Sequence, residues 1–127
     1  MIHEWYDSRF AGKKYNLLFA CAADKDIENI APVFFAEEKN KPQQISLTKP
    51  GDIKKSDLSR LLTAFAPLCQ NHSVNYSISE DFEKTIESAV KDAEKSGNIL
   101  VVTGSFYLVA EVKKFLKQKC TILPANA

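Results

Sequence analysis

The chain has 127 residues, 45% of them hydrophobic and 26% charged, with a formal net charge of +1. That length supports one domain with one core. The near-neutral balance excludes the strong positive field of a nucleic-acid or anionic-membrane binder, and no apolar run is long enough to cross a bilayer. The first residues, Met1 to Asp7, lack the basic start and apolar core of a signal peptide, so a cytoplasmic location is expected. Ile2 to Phe10 reads as the second half of an amphipathic helix, and Arg9 to Lys14 as a loop. A parallel α/β domain usually opens on a strand that feeds such a helix, so the chain reads as a domain lacking its first strand.

Strand and helix patterns then alternate. Tyr15 to Ala23 is a buried-strand pattern ended by Asp24-Lys25-Asp26, where Asp26 is suited to cap the next helix. That helix is expected between Ile27 and Lys39, with Pro32 either kinking it or marking its true first turn. Gln43 to Thr48 reads as a second strand and Lys49 to Asp52 as a loop. Ser56 to Cys69 places Leu58, Leu61, Leu62, Phe65 and Leu68 at helical spacing, and Pro67 suggests an end near there. Val74 to Ile78 alternates apolar and polar residues, as an edge strand does. Ser79 is the expected N-cap of the next helix, whose apolar face is Phe82, Ile86, Ala89 and Ala93, and Ser96-Gly97 stops it. Asn98 to Val102 is an apolar strand that ends at Thr103-Gly104-Ser105. A final helix follows, with Leu108, Val112, Phe115 and Leu116 on one face. Thr121 to Leu123 could add an edge strand.

This alternation predicts an α/β, Rossmann-like three-layer domain over 1–127, with a mostly parallel sheet and helices on both faces. Ligands of such sheets bind beyond the carboxyl ends of the strands, where the loops 23–26, 48–52 and 103–105 gather. Thr103-Gly104-Ser105 is a tight strand-to-helix turn with Ser105 as N-cap. The same geometry offers an anion the helix N-terminus and a hydroxyl. Asp24-Lys25-Asp26 reads either as a capped helix start or as cleft lining. Cys21, Cys69 and Cys120 are far apart and odd in number, without CxxC or a Cys/His cluster, so no metal site is expected. Cys21 and Cys69 read as reduced packing residues, His3 and His72 as surface residues. There is no GxxxxGK[ST] loop, GxGxxG, nucleophile elbow or HExxH, and no residue is assigned as catalytic.

Two segments resemble one family. Leu17 to Ile27 (LLFACAADKDI) is similar to the strand and DKD-aliphatic start of the C-terminal domain of folylpolyglutamate synthase/dihydrofolate synthase, in the Mur ligase superfamily. Val101 to Val112 (VVTGSFYLVAEV) resembles that domain's TGS-aromatic-Tyr-Leu…Glu-Val signature. The likeness spans about residues 15–117. It implies part of an ATP- and magnesium-dependent ligase that activates a folate or dihydropteroate carboxylate as an acyl phosphate, which the amine of L-glutamate attacks. Ser105 with Gly104 would bind glutamate, and Asp24, Lys25 and Asp26 would line the nucleotide cleft. ATP, magnesium and folate would be held mainly by an N-terminal domain that this sequence does not contain, so the isolated chain is expected to be inactive. The family's first strand ends in an Asp-Gly-Ala-His-Asn turn, and this chain begins after it. After Thr48 the family carries an arginine, where this chain has Lys54-Lys55. An unpaired sheet edge would offer a surface for self-association. The alternatives are a stand-alone, non-catalytic α/β binding or regulatory domain, or the C-terminal domain of a Mur-type peptide ligase.

Overall fold

The computed structural model describes residues 14–51 and 57–120. The expected segments Ile2–Phe10 and Thr121–Leu123, together with His3, Lys54 and Lys55, lie outside them. Strand β1 is Tyr15–Phe19, and it leads through helix α1 (Ile27–Ile30) and two 3-10 turns (Ala31–Phe35 and Glu38–Asn40) to β2 (Gln44–Thr48). Helix α2 (Leu58–His72), β3 (Asn75–Ser79), α3 (Phe82–Ser96), β4 (Ile99–Thr103) and α4 (Phe106–Cys120) follow. The four strands form one parallel sheet in the order β3-β2-β1-β4. The α/β, three-layer, Rossmann-like architecture is the one the alternation predicts.

Burial explains the layering. Leu17, Phe19, Ile45 and Leu47 face α1, the first 3-10 turn and α2 in one core, with Ile27, Phe34, Leu61, Phe65 and Cys69. Leu18 and Ala20 point the other way, into a second core with Phe82, Ile86, Ala89, Val90, Leu108 and Val112 of α3 and α4. The strand's period of two feeds both cores, so β1 is buried at every residue. The polar strand β3 takes one edge and is largely exposed. At the other edge β4 is half-buried along its length, and among the described residues it pairs only with β1.

Five local expectations need correction. The helix after Asp26 is one α turn, and 3-10 geometry takes over at Ala31 with Pro32 at its start. Proline has no N–H to continue the α ladder, and its ring crowds the preceding turn. Asp26 holds the N-cap position of α1 without a capping bond from its side chain, which instead accepts from Asn29 Nδ2 at 2.6 Å. In α2 the helix runs through Pro67 to His72, because Leu61, Phe65 and Cys69 form a buried stripe that carries it past the lost bond. It closes at Ser73 in the left-handed conformation, where the backbone N–H of Val74 reaches the Cys69 carbonyl at 2.9 Å. The N-cap of α3 is Asp81, not Ser79; Asp81 Oδ1 accepts from the Lys84 N–H at 3.1 Å, while Ser79 Oγ accepts from the Asp81 N–H. On α4, Leu108 and Val112 are buried as expected, but Leu116 turns out to be 40% exposed.

Candidate functional site

The strand order places a topological switch point between β1 and β4. From β1 the chain runs outward through β2 to β3, then returns by α3 across the opposite face to β4 on the far side. Loops leaving β1 and β4 therefore diverge to opposite faces and open a crevice at their carboxyl ends. The two strands are in register from Tyr15 opposite Ile99 to Phe19 opposite Thr103, so they end at one level. The Ala20 N–H closes the last rung on the Thr103 carbonyl at 3.4 Å.

A cavity of about 420 Å³ lies there, lined by Ala22, Asp24 and Lys25 on one wall and by Val102 to Tyr107 with Val109 on the other. That volume falls in the range of small-molecule sites. Gly104 makes the turn possible. Its φ is 102°, and a Cβ there would collide with the Ala20 carbonyl oxygen and stand 3.0 Å from the Phe19 ring. Ser105 then caps α4: its Oγ accepts from the Tyr107 N–H at 3.1 Å, and its carbonyl accepts from the Val109 N–H at 3.1 Å. The capping oxygen keeps its own O–H as a donor, and the first turn of a 15-residue helix adds N–H groups with no acceptor within the helix.

Of the sequence-derived candidates, Ser105, Gly104, Asp24 and Lys25 therefore share one cavity. Asp26 stands outside its lining, with its carboxylate bonded to Asn29. Sequence reasoning named the strand-to-helix motif but gave no role to Phe106 or Tyr107. Both follow the cap directly, on the first two positions of α4, and they form the outer lip; Phe106 is 93% exposed. Their position next to the cap was the available signal. Among the described residues no group of three or more His, Cys, Asp or Glu side chains could hold a metal ion. The sequence also has no phosphate-binding loop. Asp24 is the only carboxylate among the residues that line the cavity, so this lining alone offers a magnesium–triphosphate little hold. No helix among them is long and apolar enough to cross a membrane.

Arg60 braces the wall on the β1 side from behind. Its guanidinium donates to the Ala23 carbonyl at 2.6 Å, to the Lys25 carbonyl at 3.0 Å and to the Glu28 carboxylate at 2.7 and 3.0 Å. Arg60 holds the Glu28 carboxyl below its ordinary value of 4.5, chiefly through that hydrogen bond. At the far end of α2, Lys41 and then His72 do the same for Glu38; they bond it at 2.6 and 2.9 Å. Burial raises the Cys21 thiol, opposed by the positive charges of Arg60 and Lys25, and pushes Cys69 up to about 11. Both thiols are free and buried, which fits their reading as packing residues.

The two carboxylates set an acid limit. A folded-state value below the unfolded one gives stability that is complete above the ordinary value near 4.5 and lost as pH falls through the lowered folded value. Thermal melts at about pH 3 to 7 should show Tm falling on the acid side of that range. The decline should be shallower in a Glu28→Gln/Glu38→Gln variant. An identical acid limb in both proteins would mean that other carboxylates set it.

The fold and cavity define an α/β domain of the Rossmann-like, three-layer type, with an anion-suited turn at its switch point. Compared with protein-family models, curated proteins and solved structures, the chain gives no match.

Proposed function

We propose that the chain is the C-terminal, glutamate-side domain of an ATP-dependent folate–glutamate ligase of the folylpolyglutamate synthase/dihydrofolate synthase type. The observation that carries the reading is the meeting of two distant motifs. Asp24-Lys25 and Thr103-Gly104-Ser105, almost 80 residues apart in sequence, form opposite walls of one cavity. These are the two segments whose residues resemble that family. The chemistry suits an amino acid with two carboxylates. The Ser105 O–H and the N-terminus of α4 provide donors for a carboxylate, Lys25 supplies a positive charge, and Asp24 supplies an acceptor for an amino group. On this reading the domain holds glutamate for attack on an acyl phosphate formed in a partner domain, which supplies the folate, ATP and magnesium sites. The cytoplasm is the location such a reaction implies.

The test is a titration of the isotope-labelled chain with L-glutamate, read from the backbone amide signals. Gly104, Ser105 and Lys25 should move together and saturate. Ser105→Ala should weaken binding by roughly tenfold, the value of one hydrogen bond to a charged group. That variant also loses the helix cap, worth about 1 kcal/mol, so the comparison belongs well below its Tm. Ser105→Thr keeps the hydroxyl and should bind nearly as the parent does. No response at these amides, or an equal response to D-glutamate, would sink the reading.

A further inference from the structure

We infer that Arg60 is a positioning residue for the switch-point cavity: it does not line the cavity, but its bonds to the Ala23 and Lys25 carbonyls fix the wall that presents Asp24 and Lys25. The functional meaning of that wall rests on the ligand reading above; the bracing itself does not. Between Ala20 and Asp26 the backbone has left the sheet and is not yet helical, and it makes few bonds of its own. The Lys25 N–H reaches the Ala22 carbonyl at 3.1 Å and the Ile27 N–H reaches the Lys25 carbonyl at 3.0 Å. Arg60 takes the Ala23 carbonyl and shares that of Lys25, from 37 and 35 residues away.

The guanidinium is itself held by Glu28, and the Arg60 backbone is anchored at the start of α2. Glu28 receives Nη2 with both carboxylate oxygens, and the Arg60 backbone N–H is tied to the N-cap Asp57 at 3.2 Å. The ion pair is partly exposed, at 37% for Arg60 and 62% for Glu28, so its direct electrostatic contribution is small. What matters is geometry: a planar fork reaches two carbonyls and a carboxylate at once, which a lysine ammonium, a single point of charge, cannot reproduce. The brace joins three elements, because the loop follows β1, Glu28 lies on α1 and Arg60 on α2.

Cys21 provides a local reporter. It is 4% exposed, sits at the root of the loop, and borders the same small space as Ala22, Lys25, Asp57 and Arg60. Cys69, 1% exposed in the α2 core, reports on the protein as a whole. In the full chain carrying Cys120→Ser, the rate of labelling by an aromatic disulfide reagent would be followed at each thiol. Arg60→Ala should raise labelling of Cys21 by about tenfold or more while Cys69 changes by less than about twofold, with Arg60→Lys between parent and Ala. A parallel rise at both thiols would mean loosening of the whole core, and no rise at either would mean that the loop holds itself. Both results overturn the inference. In the same variants L-glutamate binding, read at the Gly104 and Ser105 amides, should weaken by about tenfold, with Arg60→Lys again intermediate. Unchanged affinity beside an opened Cys21 overturns the positioning role. If the parent chain does not respond to L-glutamate, the ligand reading fails, and the thiol measurement alone decides the brace.

Discussion

Gly104→Ala is expected to destabilise the protein by about 3 kcal/mol, a Tm loss of roughly 10 °C for a chain of this size. Two costs combine. At φ 102° an L side chain is strained wherever the residue sits. The added Cβ would also run into the Ala20 carbonyl oxygen and press on the Phe19 ring. Neither neighbour can yield freely, since Ala20 is fully buried and Phe19 is 1% exposed. Gly97→Ala separates the two costs. Gly97 also has a positive φ, 73°, but nothing lies within 4 Å of its would-be Cβ, so only the conformational cost of about 1 kcal/mol applies. Thermal melts of the two variants give the answer. Equal losses would show that the β4–α4 turn relaxes around the methyl group, and the close approach of the two strand ends would then not depend on glycine. A large loss for Gly104→Ala alone would tie the shape of the cavity to that residue.

How much of this was legible in the sequence depended on the range of the interaction. The strands and the two-sided sheet followed from apolar runs and spacing, because each element's burial repeats within its own residues. The Thr103-Gly104-Ser105 turn was legible for the same reason: a strand end, a glycine and a cap are local signals. The boundaries around Pro32 and Pro67 were not. One proline switches the chain to 3-10 geometry and the other is absorbed inside α2. The difference is that Leu61, Phe65 and Cys69 anchor both sides of Pro67 in the core, whereas only the short Ile27–Ile30 turn precedes Ala31-Pro32. Arg60 left no trace either. Its spacing puts it on the outer side of α2, where an arginine reads as solvated, and its partners lie more than 30 residues away. His72 likewise read as a lone surface histidine; the fold gives it the Glu38 carboxylate and the face of Phe35, with ring centres 5.0 Å apart.

Phe65→Ala should be the most damaging single truncation in the described core, at about 3–5 kcal/mol, a large share of the total stability of a domain this size. Phe65 is fully buried and packs against Phe19 at 5.3 Å and Phe34 at 6.4 Å between ring centres, while Phe19 and Phe34 meet edge-on at 5.8 Å. These three rings join β1, the first 3-10 turn and α2, so the cavity left behind cannot be refilled from one element. Phe65→Leu keeps most of the volume and should cost about 1–2 kcal/mol. The triad also reaches the candidate site, because the Phe19 ring is one of the two groups that crowd Gly104. Removing Phe65 gives Phe19 room to retreat. Gly104→Ala should therefore cost less in a Phe65→Ala background than in the parent, by about 1 kcal/mol. The Ala20 carbonyl is main chain just past the end of β1, next to the bond from its N–H to the Thr103 carbonyl, and does not move with the ring, so most of the penalty should persist. Chemical denaturation of the parent, both single variants and the double variant closes the cycle. Strict additivity would show that the ring contributes nothing to the tightness of the turn and that the carbonyl alone sets it.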